Sequence, residues 1–107
     1  LPEYDPALYV HKKSKTTLEN SLTSLQAILP VLEGLNDWTN ESLYEALVAL
    51  AAKLEVKNSI ILWPLRVAVS GKASTPGGAT EIAELLGREE TLARLDKSIA
   101  KLQAALA

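Results

Sequence analysis

Leucines at 18, 22, 25, 29 and 32 recur at steps of four and three, which places five of them along one stripe of a helix starting near Lys15. Pro30 lacks a backbone donor, so this helix is expected to kink or tighten before Gly34. A second helix is predicted after Thr39 or Asn40, either of which can cap it, with Glu41 in its first turn and Leu43, Leu47, Leu50 and Leu54 turned inward. Residues 59–69 carry β-branched residues that would suit a buried strand. A helix bent near Pro64 and capped by Asn58 or Ser59 is the better reading, because a central strand excludes proline and no second strand is visible to pair with it.

Thr75 followed by Pro76 reads as an N-cap with proline at the first helical position. The helix so opened presents Ala79, Ile82, Ala83 and Leu86 on one side and is expected to stop at Gly87 in a left-handed cap. A last helix begins at Glu89 and Glu90, whose charges suit its positive end, and is expected to bury Leu92, Leu95, Ile99, Leu102 and Leu106. The expected fold is therefore all-α, a compact bundle of about five helices in one domain over 1–107, dividing loosely into subdomains 1–56 and 57–107.

The chain has 107 residues and no cysteine, so disulfides, thiolate metal sites and thiol nucleophiles are excluded together. Residues 59–69, the longest apolar run, are interrupted by Pro64 and Arg66 and fall short of the roughly 18 apolar residues of a membrane span. The start, Leu1-Pro2-Glu3-Tyr4-Asp5-Pro6, lacks the basic end and apolar centre of a targeting peptide and reads as the beginning of an excised domain.

A formal charge of −2 argues against generic nucleic-acid binding, but the charges are unevenly spread. Lys12, Lys13 and Lys15 form one basic group, and Lys53, Lys57, Arg66 and Lys72 bring a second to the centre of the chain. Apparent catalytic motifs fail on inspection. Residues 70–75 look like the tail of a phosphate-binding loop, yet Ala73 follows the lysine where serine or threonine is needed, and Arg66 stands where that loop needs glycine. A single histidine, His11, leaves no basis for a histidine metal site and reads as a solvated residue beside three lysines. Glu81 with Glu84, and Glu89 with Glu90, read as helix-dipole and surface residues rather than acid/base pairs.

Pro64-Leu65-Arg66-Val67-Ala68, then Ser70-Gly71, Thr75-Pro76-Gly77, Glu81-Ile82 and Leu85-Leu86-Gly87 form one long motif. It resembles the C-terminal anticodon-binding region of bacterial-type glutamyl-tRNA synthetases, class I aminoacyl-tRNA synthetases, and weaker matches at Lys12-Lys13 and Trp38-Thr39-Asn40-Glu41 extend it over most of the chain. The resemblance implies an all-α anticodon-binding module of a ligase, inactive alone, whose partners are the glutamate tRNA anticodon loop and the catalytic part of the same polypeptide. It further implies a cytoplasmic monomer, with no cofactor in this segment and ATP and Mg used by the absent catalytic part. Lys12-Lys13-Ser14-Lys15 is similar to the flexible ATP loop of such enzymes but lacks the α/β nucleotide fold that loop serves.

Carried over residue by residue, the resemblance assigns anticodon contacts to Arg66, Thr75, Pro76, Gly77 and Gly78, the last standing where some members carry a larger side chain. Contacts to the tRNA backbone are expected from Lys12, Lys13 and Lys72. The chemistry fits, because unpaired loop bases are read by stacking surfaces and edge hydrogen bonds, and a glycine-flanked helix start exposes N–H groups to close approach. On local grounds alone, Pro76 and Gly77 serve helix initiation equally well, and Arg66 could pair with Glu81 across the turn. Trp63 reads as a core tryptophan before a stacking platform, and Trp38 as a packing staple. The competing reading is a helical protein-docking module without RNA-reading activity, motivated by the leucine stripes and the acidic balance.

Overall fold

The computed structural model describes residues 4–72, 75 and 77–107. Five α-helices follow a short 3-10 turn at Pro6–Tyr9: α1 (Leu18–Glu33), α2 (Asn40–Leu54), α3 (Asn58–Ser70), α4 (Ala79–Leu86) and α5 (Arg88–Leu106). Among the described residues the sole extended pairing is an isolated antiparallel bridge between His11 and Thr16. The all-α bundle is thus as predicted.

Helix α3 lies at the centre and packs against each of the other four helices, which explains its apolar composition. Ile61, Leu65, Val67, Ala68 and Val69 are fully buried within it. Pro64 sits inside this helix without ending it, although its missing N–H leaves the carbonyl of Ile60 without the usual helical partner. The hydroxyl of Ser24, on α1, donates to that carbonyl over 2.9 Å. A buried carbonyl must be paired, and a neighbouring helix supplies the donor that the proline removed.

This requirement shifts the buried face of α1. Ser21, Ser24, Leu25, Ile28 and Leu32 are buried, whereas Leu18, Leu22 and Leu29 of the predicted stripe are half-exposed at its edge. The helix also starts later than expected: Thr17 is its N-cap, in a capping box with Asn20, and Lys15 stands in a preceding turn with a positive φ of 59°. Pro30 lies on the exposed side of α1, which ends in a tightened turn closed by the Leu35 N–H on the Leu32 carbonyl.

Leu43, Leu47 and Leu50 of α2 face inward, but Leu54, next to the left-handed residue Glu55 that ends the helix, is 42% exposed. Leu95 and Leu102 of α5 are buried, Leu92 and Ile99 partly so, and Leu106 is exposed at the helix end. Lys57, not Asn58 or Ser59, takes the N-cap position of α3, without a side-chain hydrogen bond. Gly87 stops α4 as expected, with a positive φ of 85° that favours glycine, but its ψ of 164° lies outside the left-handed helical well and lets α5 follow α4 with one intervening residue.

Two arginines of α5 close helix ends elsewhere. Arg88 donates to the carbonyls of Glu33, the last residue of α1, and of Leu35 just past it, and Arg94 donates to the carbonyl of Val69 in the last turn of α3. Glu90 accepts from Arg94 at 2.7 Å, and this contact holds its carboxyl below the usual carboxylate range. Near the middle of α5, the Tyr4 hydroxyl lies 2.6 Å from that of Tyr9 and 2.8 Å from that of Ser98, pinning the N-terminal turn to the bundle.

Candidate nucleic-acid interface

Trp63 and Arg66 are three residues apart on α3 and therefore share one face of it. The Trp63 indole N–H donates to the Leu8 carbonyl at 3.0 Å, which ties the ring to the N-terminal segment. His11 stacks on that ring, with centroids 3.7 Å apart and planes 12° apart. The Arg66 guanidinium carbon lies 5.8 Å from the Trp63 ring centre, within cation–π range. Trp63 is therefore both a packing residue and part of an aromatic platform, and His11 is a half-buried ring of that platform rather than a solvated neighbour of the lysines.

The pairing of Arg66 with Glu81 does not form. Among the described residues the Arg66 guanidinium has no hydrogen bond or ion pair, and it is half-buried. A cation held over a ring but unpaired keeps its planar donors available for an incoming acceptor.

The corner opposite is built differently from the prediction. Helix α4 starts at Ala79 with Gly78 at its N-cap, so Thr75 does not cap it. Instead the Thr75 hydroxyl donates to the Gly77 carbonyl and closes the turn that precedes the helix. Pro76 lies outside the described residues. Gly78 has φ −73° and ψ 167°, a conformation open to any residue, and makes no side-chain cap, so among the described residues the first N–H groups of α4 have no side-chain partner.

Glu81, at the third helical position, folds back over this turn: a Cβ on Gly77 would come within 3.1 Å of its Oε2, and one on Gly78 within 3.7 Å of its Oε1. The carboxylate stands where a capping side chain would and opposes the positive end of α4.

Helix α4 is fixed to the start of α2. The Asn40 N–H donates to Glu84 Oε2 at 3.0 Å, and the Thr80 hydroxyl donates to Asn40 Oδ1 at 2.6 Å. Thr39, the N-cap of α2, accepts from the Ser42 N–H as predicted. Trp38 packs against the core and donates its indole N–H to the Ala83 carbonyl at 2.9 Å, the staple its position suggested.

These elements enclose an open cleft of about 700 Å³, lined by His11 and Ser14, Asn40 and Tyr44 of α2, Ser59, Leu62, Trp63 and Arg66 of α3, and residues 78–81. Its volume falls in the roughly 300–1,000 Å³ range of ligand sites. Arg66 and Gly78, which sequence reasoning singled out, line it together, while Thr75 and Gly77 belong to the turn leading into it. Lys12 and Lys13 are exposed on the turn directly after His11, and Lys72 is exposed beyond the end of α3 with its N–H on the Ser70 hydroxyl.

Asn40, Tyr44 and His11 were not among the predicted site residues. Tyr44 had a sequence signal, since an aromatic beside Leu43 falls off the inward stripe of α2, and it is 47% exposed. His11 meets Trp63 only through the fold, so no local pattern announces it.

An all-helical bundle brings a guanidinium, two stacked rings and the start of α4 around one cleft. Residues 1–99 match the family model described as an anticodon binding domain, and the chain belongs to that family. A glutamate–tRNA ligase of Clostridium tetani is 58% identical to it over 103 residues, which are 96% of this chain and 21% of the relative. One from Clostridium botulinum strain Hall is 58% identical over 104 residues, 97% of this chain and 21% of the relative. One from Clostridium novyi is 51% identical over 106 residues, 99% of this chain and 22% of the relative. The chain thus spans about a fifth of the length of these relatives.

Proposed function

We propose that this chain is the anticodon-reading part of a glutamate–tRNA ligase and binds the anticodon loop of glutamate tRNA. The observation that carries this reading is that the Arg66 guanidinium, without a hydrogen bond or ion pair among the described residues, lines one cleft with the glycine corner at Gly78, in a chain of the anticodon-binding family. Loop bases, splayed out of their stack, would enter between the Trp63 platform and that corner, where main-chain N–H groups and the guanidinium meet their edges. Arg66, Thr75, Pro76, Gly77 and Gly78 form the anticodon contact in this reading. Lys12, Lys13 and Lys72, all exposed, take the phosphate backbone, a division of labour in which backbone contacts set register and base contacts set sequence.

The reading explains how a chain of net charge −2 handles a polyanion: the cations are few and local, and the affinity of the whole enzyme comes from several contacts made at once. The attachment of glutamate, with ATP and Mg, belongs to the remainder of the polypeptide, which works as a cytoplasmic monomer. An NMR titration of this chain with a glutamate anticodon stem-loop tests the proposal. Shifts confined to Arg66, Lys72, the 75–78 turn and the cleft residues support it. Absence of shifts at low salt refutes it and favours the protein-docking reading.

A further inference from the structure

His11 is fixed through its main chain, one ring face and one ring nitrogen. Its main-chain N–H and carbonyl pair with Thr16, at 3.3 and 3.2 Å, across the isolated bridge. Its ring lies flat on Trp63, which is itself anchored to Leu8. Ring nitrogen Nδ1 accepts the Ser14 main-chain N–H at 3.2 Å and lies 2.8 Å from the Ser14 hydroxyl. A main-chain N–H can only donate, so Nδ1 is the acceptor and the proton of the neutral ring sits on Nε2. Among the described residues Nε2 has no partner, and the ring lines the cleft that holds Arg66.

A side chain fixed through one nitrogen, with the other left free, is oriented for a donor's role toward something outside the protein. Lys12 and Lys13 follow at once on the same turn and are both exposed, so two cations flank this ring in the chain. Arg66 and Asn40 already provide groups suited to base edges, whereas the cationic turn suits an anionic oxygen. We propose that His11 is a phosphate-binding residue, its Nε2–H donating to one backbone phosphate of the bound RNA loop and fixing the register in which Arg66 reads a base. This rests on the RNA-reading function proposed above.

The test uses the chain as it stands and anticodon stem-loops followed by fluorescence anisotropy. His11→Phe keeps a flat ring against Trp63 and removes the donor. It is expected to weaken binding about five- to tenfold, equally for the glutamate anticodon and for altered anticodons. Replacing loop phosphates one at a time by neutral methylphosphonate is expected to weaken wild-type binding at one phosphate and to leave His11→Phe unaffected there.

A second readout needs no variant. His11 is the sole histidine of the chain, so its Nε2–H resonance is assignable, and it should shift with the native loop and not with the one methylphosphonate loop. Wild-type preference for the glutamate anticodon combined with His11→Phe binding within twofold of wild type, or losses that add at every phosphate, would overturn the assignment while sparing the RNA-reading function. An unmoved Nε2–H signal in a saturated complex would do the same. A wild-type chain that forms no saturable complex with any stem-loop would overturn both.

Discussion

The Ser24 hydroxyl donates to the Ile60 carbonyl at 2.9 Å, the one carbonyl of α3 that Pro64 cannot serve. Sequence chemistry on α3 has thereby selected the residue that α1 turns inward. Removing the donor leaves a buried acceptor unpaired, so Ser24→Ala is expected to cost about 1–3 kcal/mol of stability in urea unfolding. In a Pro64→Ala background, where residue 64 regains its N–H, the same change should cost clearly less. Equal costs in the two backgrounds would show that the hydroxyl does not replace the lost helical bond.

Ser21 presents the opposite case. It is fully buried on the same face of α1, and its hydroxyl has no hydrogen-bond partner among the described residues. Ser21→Ala removes an unsatisfied group and installs a better helix former, and is expected to stabilise the chain by about 1 kcal/mol. A loss of stability in thermal unfolding would reveal a bond to that hydroxyl.

The Tyr9 phenol is raised above its ordinary value of 10.0, chiefly by burial, and by its contact with Tyr4 as well. The unfolded chain releases this proton near pH ~10 while the folded chain retains it. The stability associated with the protonated phenol is therefore fully present below about pH 10 and falls as pH rises beyond it. Tyr9→Phe should lower stability at pH 7, where Tyr4 loses a hydroxyl partner, and should flatten the decline between pH 9 and pH 11. An unchanged alkaline slope in the variant would assign that decline to other groups.

How far the sequence foretells this molecule varies with the range of the interaction. Leucine periodicity located α1, α2 and α5 and put Leu25, Leu32, Leu43, Leu47, Leu95 and Leu102 in the core, because burial of one helix face is a local pattern. The same periodicity misplaced the centre of α1's buried face, which depends on a carbonyl of another helix. Arg66 and Gly78, which the family resemblance singles out, come together on the lining of the cleft. The start of α4 was not, since Thr75 followed by proline signals a cap whether the hydroxyl accepts from the helix or donates to Gly77. The His11–Trp63 stack joins segments that no spacing rule connects.

The central claim is that Arg66, held over Trp63 and without a hydrogen bond or ion pair among the described residues, reads a base of the anticodon loop. Binding of wild-type and Arg66→Ala chains to a glutamate anticodon stem-loop and to one of altered anticodon measures this most directly. The account predicts that Arg66→Ala weakens binding of the glutamate loop by about 1–3 kcal/mol and the altered loop much less, so that discrimination collapses. Equal losses on both loops, with discrimination intact, would contradict it.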